Sequence, residues 1–229
     1  VRAALGVARK IEDIAGPIDR RSGVAVAQAV LQRAAARQAF FRQELGELLK
    51  LGQQGQLDVQ QVRGSYAGAI GWPQFMPSSI AKFAVDFDND GRIDLTHSRI
   101  DAMGSVANYF KAYGWQPGMP THFEVDVAAI QEDDLNALLA PDIVPSWSAS
   151  HLQSKQAVLP QTAMAFEKPL ALVQLHNGGN PPSYVAGTEN FYVITRYNRS
   201  SYYALAVIEL GQAVAQAMAD PTYQAGSCP

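Results

Sequence analysis

Ala, Val, Leu and Gln dominate the stretch from Gly23 to Leu51, and this commits the first part of the chain to helix. Ala, Leu and Gln lose little conformational freedom in that state. Residues 1–62 as a whole read as helical. Phe40, Phe41, Leu45, Leu48 and Leu49 recur at steps of about three to four residues, which predicts one apolar face turned inward. Gly52 and Gly55 end the pattern.

Composition sets the limits around that helix. With 48% hydrophobic and 17% charged residues in 229, the chain can bury a real core and carries too little charge for global disorder. Eighteen Lys and Arg stand against 21 Asp and Glu without clustering, which argues against nucleic acid as a partner, because phosphate neutralisation needs concentrated positive charge. The single cysteine, Cys228, excludes an intramolecular disulfide and a Zn-type Cys cluster. No apolar run approaches the roughly 20 residues of a membrane-spanning helix, and Val1–Gly6 is too short for a complete signal peptide.

After the helix the chain changes character. Gly64, Gly68, Gly71, Pro73 and Pro77 punctuate a loop that leads into a helix at about Ser78–Phe83. A second clear helix is expected at about 100–113 and is stopped by Gly114. From 118 to 188 short strand-like pieces, 122–127 and 171–175, alternate with Pro, Ser and Gly clusters, with a short helix at 133–139. Residues 190–197 look extended, and 201–218 return to helix. The expected plan is mainly α (α+β): a helical body over 1–117, a small mixed α/β insertion at 118–188, and a return to the body at 189–229.

Three segments can carry chemistry. In Asp86-Phe87-Asp88-Asn89-Asp90-Gly91-Arg92-Ile93-Asp94, carboxylates at loop positions one, three and five, Gly at six and an apolar residue at eight suit convergence of oxygens on a hard cation. Arg92 would give its backbone carbonyl. His97 stands where the usual loop has Glu, so the remaining carboxylate must come from further on, with Asp101 the nearest candidate. This reads as a structural calcium site, EF-hand-like but longer, with Na+ or Mg2+ as alternative occupants; an Asx-rich turn without metal is the plainer alternative. In Gly64–Ser79, small residues allow close backbone approach, Tyr66, Trp72 and Phe75 offer flat faces to sugar rings, and Ser65 and Gln74 offer neutral hydrogen-bonding groups. A Gly-rich packing turn with core aromatics is the other reading. In Asn190–Tyr203 aromatic and amide groups crowd together, either as core at a strand end or as part of a site.

In this order, the three segments resemble the lytic murein transglycosylase B family. The resemblance is carried by Gly64–Ser79, by the Asp-rich loop with Asp101-Ala102-Met103-Gly104-Ser105-Val106-Ala107-Asn108-Tyr109-Phe110, and by Asn190–Ser200 followed by Gly211-Gln212-Ala213-Val214-Ala215. It implies a lysozyme-like catalytic core acting on peptidoglycan glycan strands in the bacterial periplasm or the outer-membrane-associated envelope, as a monomer, with room for association with cell-wall synthesis proteins. The implied reaction cleaves the β-1,4 bond between N-acetylmuramic acid and N-acetylglucosamine without water and closes a 1,6-anhydro ring. One carboxylic acid suffices: it protonates the leaving oxygen and then takes the proton of the sugar's own C6 hydroxyl.

By resemblance that acid is Glu12, with Gly16 four residues on, upstream of Phe40-Phe41-Arg42-Gln43-Glu44-Leu45. The residues around Glu12 depart from the family pattern, and an ordinary helix charge is the competing reading. Ser65, Gln74, Tyr197, Asn198 and Tyr203 match family positions lining the sugar site, and Arg37 matches one of two adjacent arginines. Glu44 is expected to be a structural or surface residue. Should Glu12 not be placed to act, the alternative is a peptidoglycan-binding or scaffold protein that keeps the cleft without its acid.

Overall fold

The computed structural model of the chain describes residues 20–219, with side chains at 35 and from 37 onward. The chain divides into two compact units, Val1–Asn108 and Tyr109–Pro229. The first holds helices α1 (Arg20–Gln53) and α2 (Pro77–Phe83) and most of α3 (Arg99–Ala112). The second holds β1 (His122–Glu124), α4 (Glu132–Leu139), α5 (Ala149–Ser154), α6 (Gln161–Met164), β2 (Ala171–Asn177), β3 (Asn180–Gly187), α7 (Glu189–Tyr197) and α8 (Ser201–Ala219). No helix among the described residues is long and apolar enough to cross a membrane.

Helix α1 ends where its glycines predict, and Gly55 takes a positive φ of 70° just beyond it. Its buried stripe is not the expected one. Phe40, Phe41, Leu45 and Leu49 are between 40% and 55% exposed, whereas Glu44 and Leu51 are buried. The stripe Glu44, Leu48, Leu51 follows the i, i+4, i+7 spacing of one helix face and turns toward α2. What selects it is a polar interaction that hydrophobic periodicity cannot register. Helix α2 starts on Pro77, whose missing N–H costs nothing there, after Met76, whose side chain caps nothing. Glu44 supplies the acceptor instead: its Oε2 accepts from the Ser78 amide at 2.9 Å and its Oε1 from the Ser78 hydroxyl at 2.7 Å.

In the second unit the three strands form an antiparallel sheet in the order β1-β3-β2. Strands β2 and β3 are consecutive and turn at Gly178, with φ of 65°. Side-chain alternation gives this sheet two covered faces. Leu172 and Ala186 join Val125, Leu138, Leu152 and Leu170 on one side. Ala171, Val173, Leu175 and Val185 join Phe191, Ile194, Ala204 and Ile208 of α7 and α8 on the other. Phe191 is fully buried, and its truncation to Ala should cost roughly 3–5 kcal/mol. The strands of 118–188 and the helices of 189–219 thus share one core, although the sequence suggests a boundary at 188. The boundary suggested at 117 also shifts. Tyr109 donates to the Arg196 carbonyl at 2.7 Å and Trp115 packs on the α7–α8 cluster, which assigns the end of α3 to the second unit.

Residues 190–197 are helical, which corrects the extended expectation. Phe-Tyr-Val-Ile-Thr is strand-prone by composition, but the end caps and burial outweigh that preference. Thr188 caps α7 through the Asn190 amide at 3.2 Å, and its hydroxyl donates to the Pro120 carbonyl at 2.6 Å. Asn190 is fully buried and fully engaged: Nδ2 donates to the Gln116 and Met119 carbonyls, and Oδ1 accepts from the Gln116 amide. The expected strand at 122–127 is ladder-paired only over His122–Glu124.

Candidate active site

Residues 64–75 form a tight double turn. Ile70 bridges both Gly64 and Phe75, and the Trp72 amide donates to the Leu95 carbonyl at 2.8 Å. Gly71 is obligatory here. Its φ is +69°, and a Cβ would stand 2.5 Å from the Leu95 carbonyl oxygen. Ser65 is exposed, and its hydroxyl accepts from the Ala69 amide at 3.1 Å. Gln74 is exposed at a positive φ of 51°, its side-chain amide donating to the Gly71 carbonyl at 2.8 Å. The loop therefore brings Ser65 and Gln74 to its surface with Tyr66 and Trp72, and the Arg99 guanidinium lies 5.2 Å from the Trp72 ring centre. Phe75 is not available as a sugar platform: it is buried in the core.

In the second unit Tyr197 and Tyr203 lie parallel, ring centres 6.3 Å apart at 1°. Tyr109 meets Tyr197 edge-on at 5.2 Å. Burial, reinforced by the neighbouring Tyr203, pushes the Tyr197 phenol up to about 12. Burial raises Tyr203 as well. These groups are neutral hydrogen-bonding phenols at any physiological pH. Asn198 follows the end of α7 and is exposed, its carbonyl accepting from the Ser200 amide at 2.7 Å. Arg37 is exposed on α1. Tyr109 was not expected at this cluster, and only its helical position beside Phe110 could have suggested it.

The Asp-rich loop places carboxylate oxygens of Asp86, Asp88 and Asp90 within 4.8 Å of one another. Asp86 accepts from the amides of Asp90 and Gly91, and the Arg92 amide donates to Asp90. Asn89 and Gly91 take positive φ values of 60° and 89°, which curl the loop around this point. Asp101 stands outside that trio and anchors the loop from α3. It is buried, its Oδ1 accepting from the Phe87 amide at 2.8 Å and its Oδ2 from the Asp94 amide at 2.9 Å. Burial alone would raise its pKa, but the amides of Asp94, Phe87 and Asp88 outweigh it and the carboxyl lies below its ordinary value. Glu12 lies outside the described residues.

The chain matches the transglycosylase SLT domain family over residues 19–212. It belongs to that family. The membrane-bound lytic murein transglycosylase B of Escherichia coli (strain K12) is 41% identical over 181 residues, 79% of this chain and 47% of that protein. The chain thus spans about half the length of that relative. Soluble lytic transglycosylase SltB1 from Pseudomonas aeruginosa superposes with a TM-score of 0.69 at 38% identity, over 79% of this chain and 58% of that one. Escherichia coli lytic transglycosylase Slt35, solved in complex with calcium, gives 0.67 at 38% identity, over 81% and 56%. The helix-rich fold with its small antiparallel sheet is the lysozyme-like fold of these transglycosylases. Glu12 precedes the matched residues.

Proposed function

We propose that the chain acts as a lytic murein transglycosylase, cleaving the β-1,4 bond between N-acetylmuramic acid and N-acetylglucosamine in peptidoglycan and leaving 1,6-anhydro-muramic ends. The observation that carries this reading is the family match across 19–212, which takes in both the Gly64–Ser79 loop and the Tyr197–Tyr203 pair. The substrate is the glycan strand, the working place the periplasm or the outer-membrane-associated envelope, and the working form a monomer.

Ser65 and Gln74 offer hydroxyl and amide groups to sugar substituents, Trp72 offers a flat face, and Tyr197, Asn198 and Tyr203 offer neutral donors suited to an acetamido group. Arg37, exposed on α1, adds a cationic hydrogen-bond donor for sugar or peptide oxygens. Glu12 is assigned as the acid that protonates the leaving oxygen and then, as carboxylate, takes the C6 hydroxyl proton. Glu12→Gln should abolish release of anhydro-muropeptides and retain glycan binding; retained turnover would assign the acid elsewhere.

The Asp-rich loop fits a calcium ion. Its donors are all oxygens: the carboxylates of Asp86, Asp88 and Asp90 converge and the Arg92 carbonyl adds a further donor, while Asp101, expected as a ligand from the sequence, holds the loop through the Phe87 and Asp94 amides. Bound calcium would offset the repulsion among these carboxylates and stiffen the loop; it takes no part in bond cleavage.

A second reading, a peptidoglycan-binding protein without a working acid, is favoured by one observation: the family match begins at 19, after Glu12. Saturable binding to murein with no anhydro product would establish it.

A further inference from the structure

Within the second unit, a groove of about 1170 Å³ runs beside strand β1, with α8 contributing to its wall. Val185 and Leu205 are among its apolar lining, and Glu124, Asp126 and Glu209 are exposed along it. Among the described residues, no Lys or Arg lines it. Among the described residues, none of these three carboxylates makes an ion pair. Half-buried His122, its Nδ1 3.1 Å from the Thr121 hydroxyl, does not offset them, because burial lowers its pKa and favours the neutral ring.

Among the described residues, the backbone beside this groove is open. Strand β1 pairs with β3 on one side. The Thr121 carbonyl accepts from the Thr188 amide at 2.9 Å. Alternate residues of an antiparallel ladder bond the partner, so Phe123 continues that set and the N–H and C=O of His122 and Glu124 point to the opposite edge. Past β1, Val158 exchanges two hydrogen bonds with Asp126. That pairing cannot extend back along the edge in the same way, since Pro160 has no N–H to give.

We propose that this edge and groove receive an extended, basic segment of a partner protein. The segment adds as a strand beside His122–Glu124, rests apolar side chains on Val185 and Leu205, and sets Lys or Arg against Glu124, Asp126 and Glu209. A peptidoglycan stem peptide is the less suitable occupant. Its alternating L and D centres break the regular alternation that a β-ladder requires.

The test titrates the full chain with a labelled, end-capped peptide of alternating Val and Lys, followed by fluorescence anisotropy and by backbone amide shifts. Saturable binding is expected, with the His122 and Glu124 amides shifting. The affinity should weaken about tenfold in E124K and in E209K, whose exposed positions leave the fold intact by circular dichroism. The same peptide with Glu in place of Lys should not bind. No saturable binding, equal affinity in both variants, or unshifted edge amides would overturn the proposal. So would tighter binding of L-Ala-D-γ-Glu-diaminopimelate-D-Ala in this groove, which would make it a substrate site instead.

Discussion

Both carboxylate oxygens of Glu44 are committed to Ser78, 34 positions later, one to its amide and one to its hydroxyl. A helix beginning on Pro77 gains in this way the cap that Met76 does not supply, and the acceptor is a buried charge. Glu44→Ala should therefore lower stability by roughly 1–3 kcal/mol, by losing the cap and leaving a donor without its acceptor. Glu44→Gln, which keeps one acceptor oxygen, should lose less. Urea midpoints of the two variants check the order; equal midpoints would remove Glu44 from this role.

Asp101 supports the Asp-rich loop through two backbone amides, Phe87 and Asp94, at opposite ends of the turn. Asp101→Asn retains one acceptor and replaces the other with an NH2 group facing an amide donor. A loss of roughly 1–3 kcal/mol is expected, with faster hydrogen exchange at the Phe87 and Asp94 amides in particular. Exchange rates unchanged at those two amides would contradict the anchoring role.

Calcium should raise the melting temperature and chelator should lower it, because an ion bound only by the folded loop stabilises the fold by mass action. Asp88→Ala should remove the calcium response and lower the metal-free melting temperature only slightly, since Asp88 is exposed and loses just two long hydrogen bonds, from the Asp90 amide and the Ser98 hydroxyl. A melting curve indifferent to both additions would leave the loop as an Asx-rich turn.

Tyr197 gives a pH signature. Its phenol is raised to about 12 in the fold by burial and by Tyr203, against an ordinary value of 10.0. Below pH 10 the folded and unfolded states are equally protonated at this site, so its contribution is whole. Between 10 and 12 the unfolded state loses its proton first, and stability falls as pH rises through that window. Tyr197→Phe should flatten this part of the stability profile, as measured by denaturant titration at pH 9, 10 and 11. An identical slope in wild type and variant would contradict the assignment.

Local pattern made much of this fold readable. The Gly52 and Gly55 stop of α1, the presence of α2 close to Ser78–Phe83, the span of α3 and the strand at 171–175 all follow from residues acting on their own neighbours. Long-range effects did not show. Nothing near Glu44 announces a partner at Ser78, so periodicity points to Phe40, Phe41, Leu45, Leu48 and Leu49, of which only Leu48 lies on the buried stripe with Glu44 and Leu51. The strand-prone run after Asn190 folds as a helix because Thr188 and Asn190 are held by Pro120 and by Gln116 and Met119, far away in sequence. At the candidate site the same division holds. The turn that exposes Ser65 and Gln74 is written in Gly64, Gly71 and Pro73, whereas burial of Phe75 and the separate place of Asp101 depend on contacts from other segments.

The most direct test of transglycosylase action uses purified murein sacculi in water enriched in 18O, with the released muropeptides identified by mass spectrometry. In the proposed reaction the sugar's own C6 hydroxyl is the nucleophile, so products should carry 1,6-anhydro-muramic ends with no 18O. Reducing ends labelled with 18O, or intact sacculi under conditions where a related transglycosylase digests them, would contradict it.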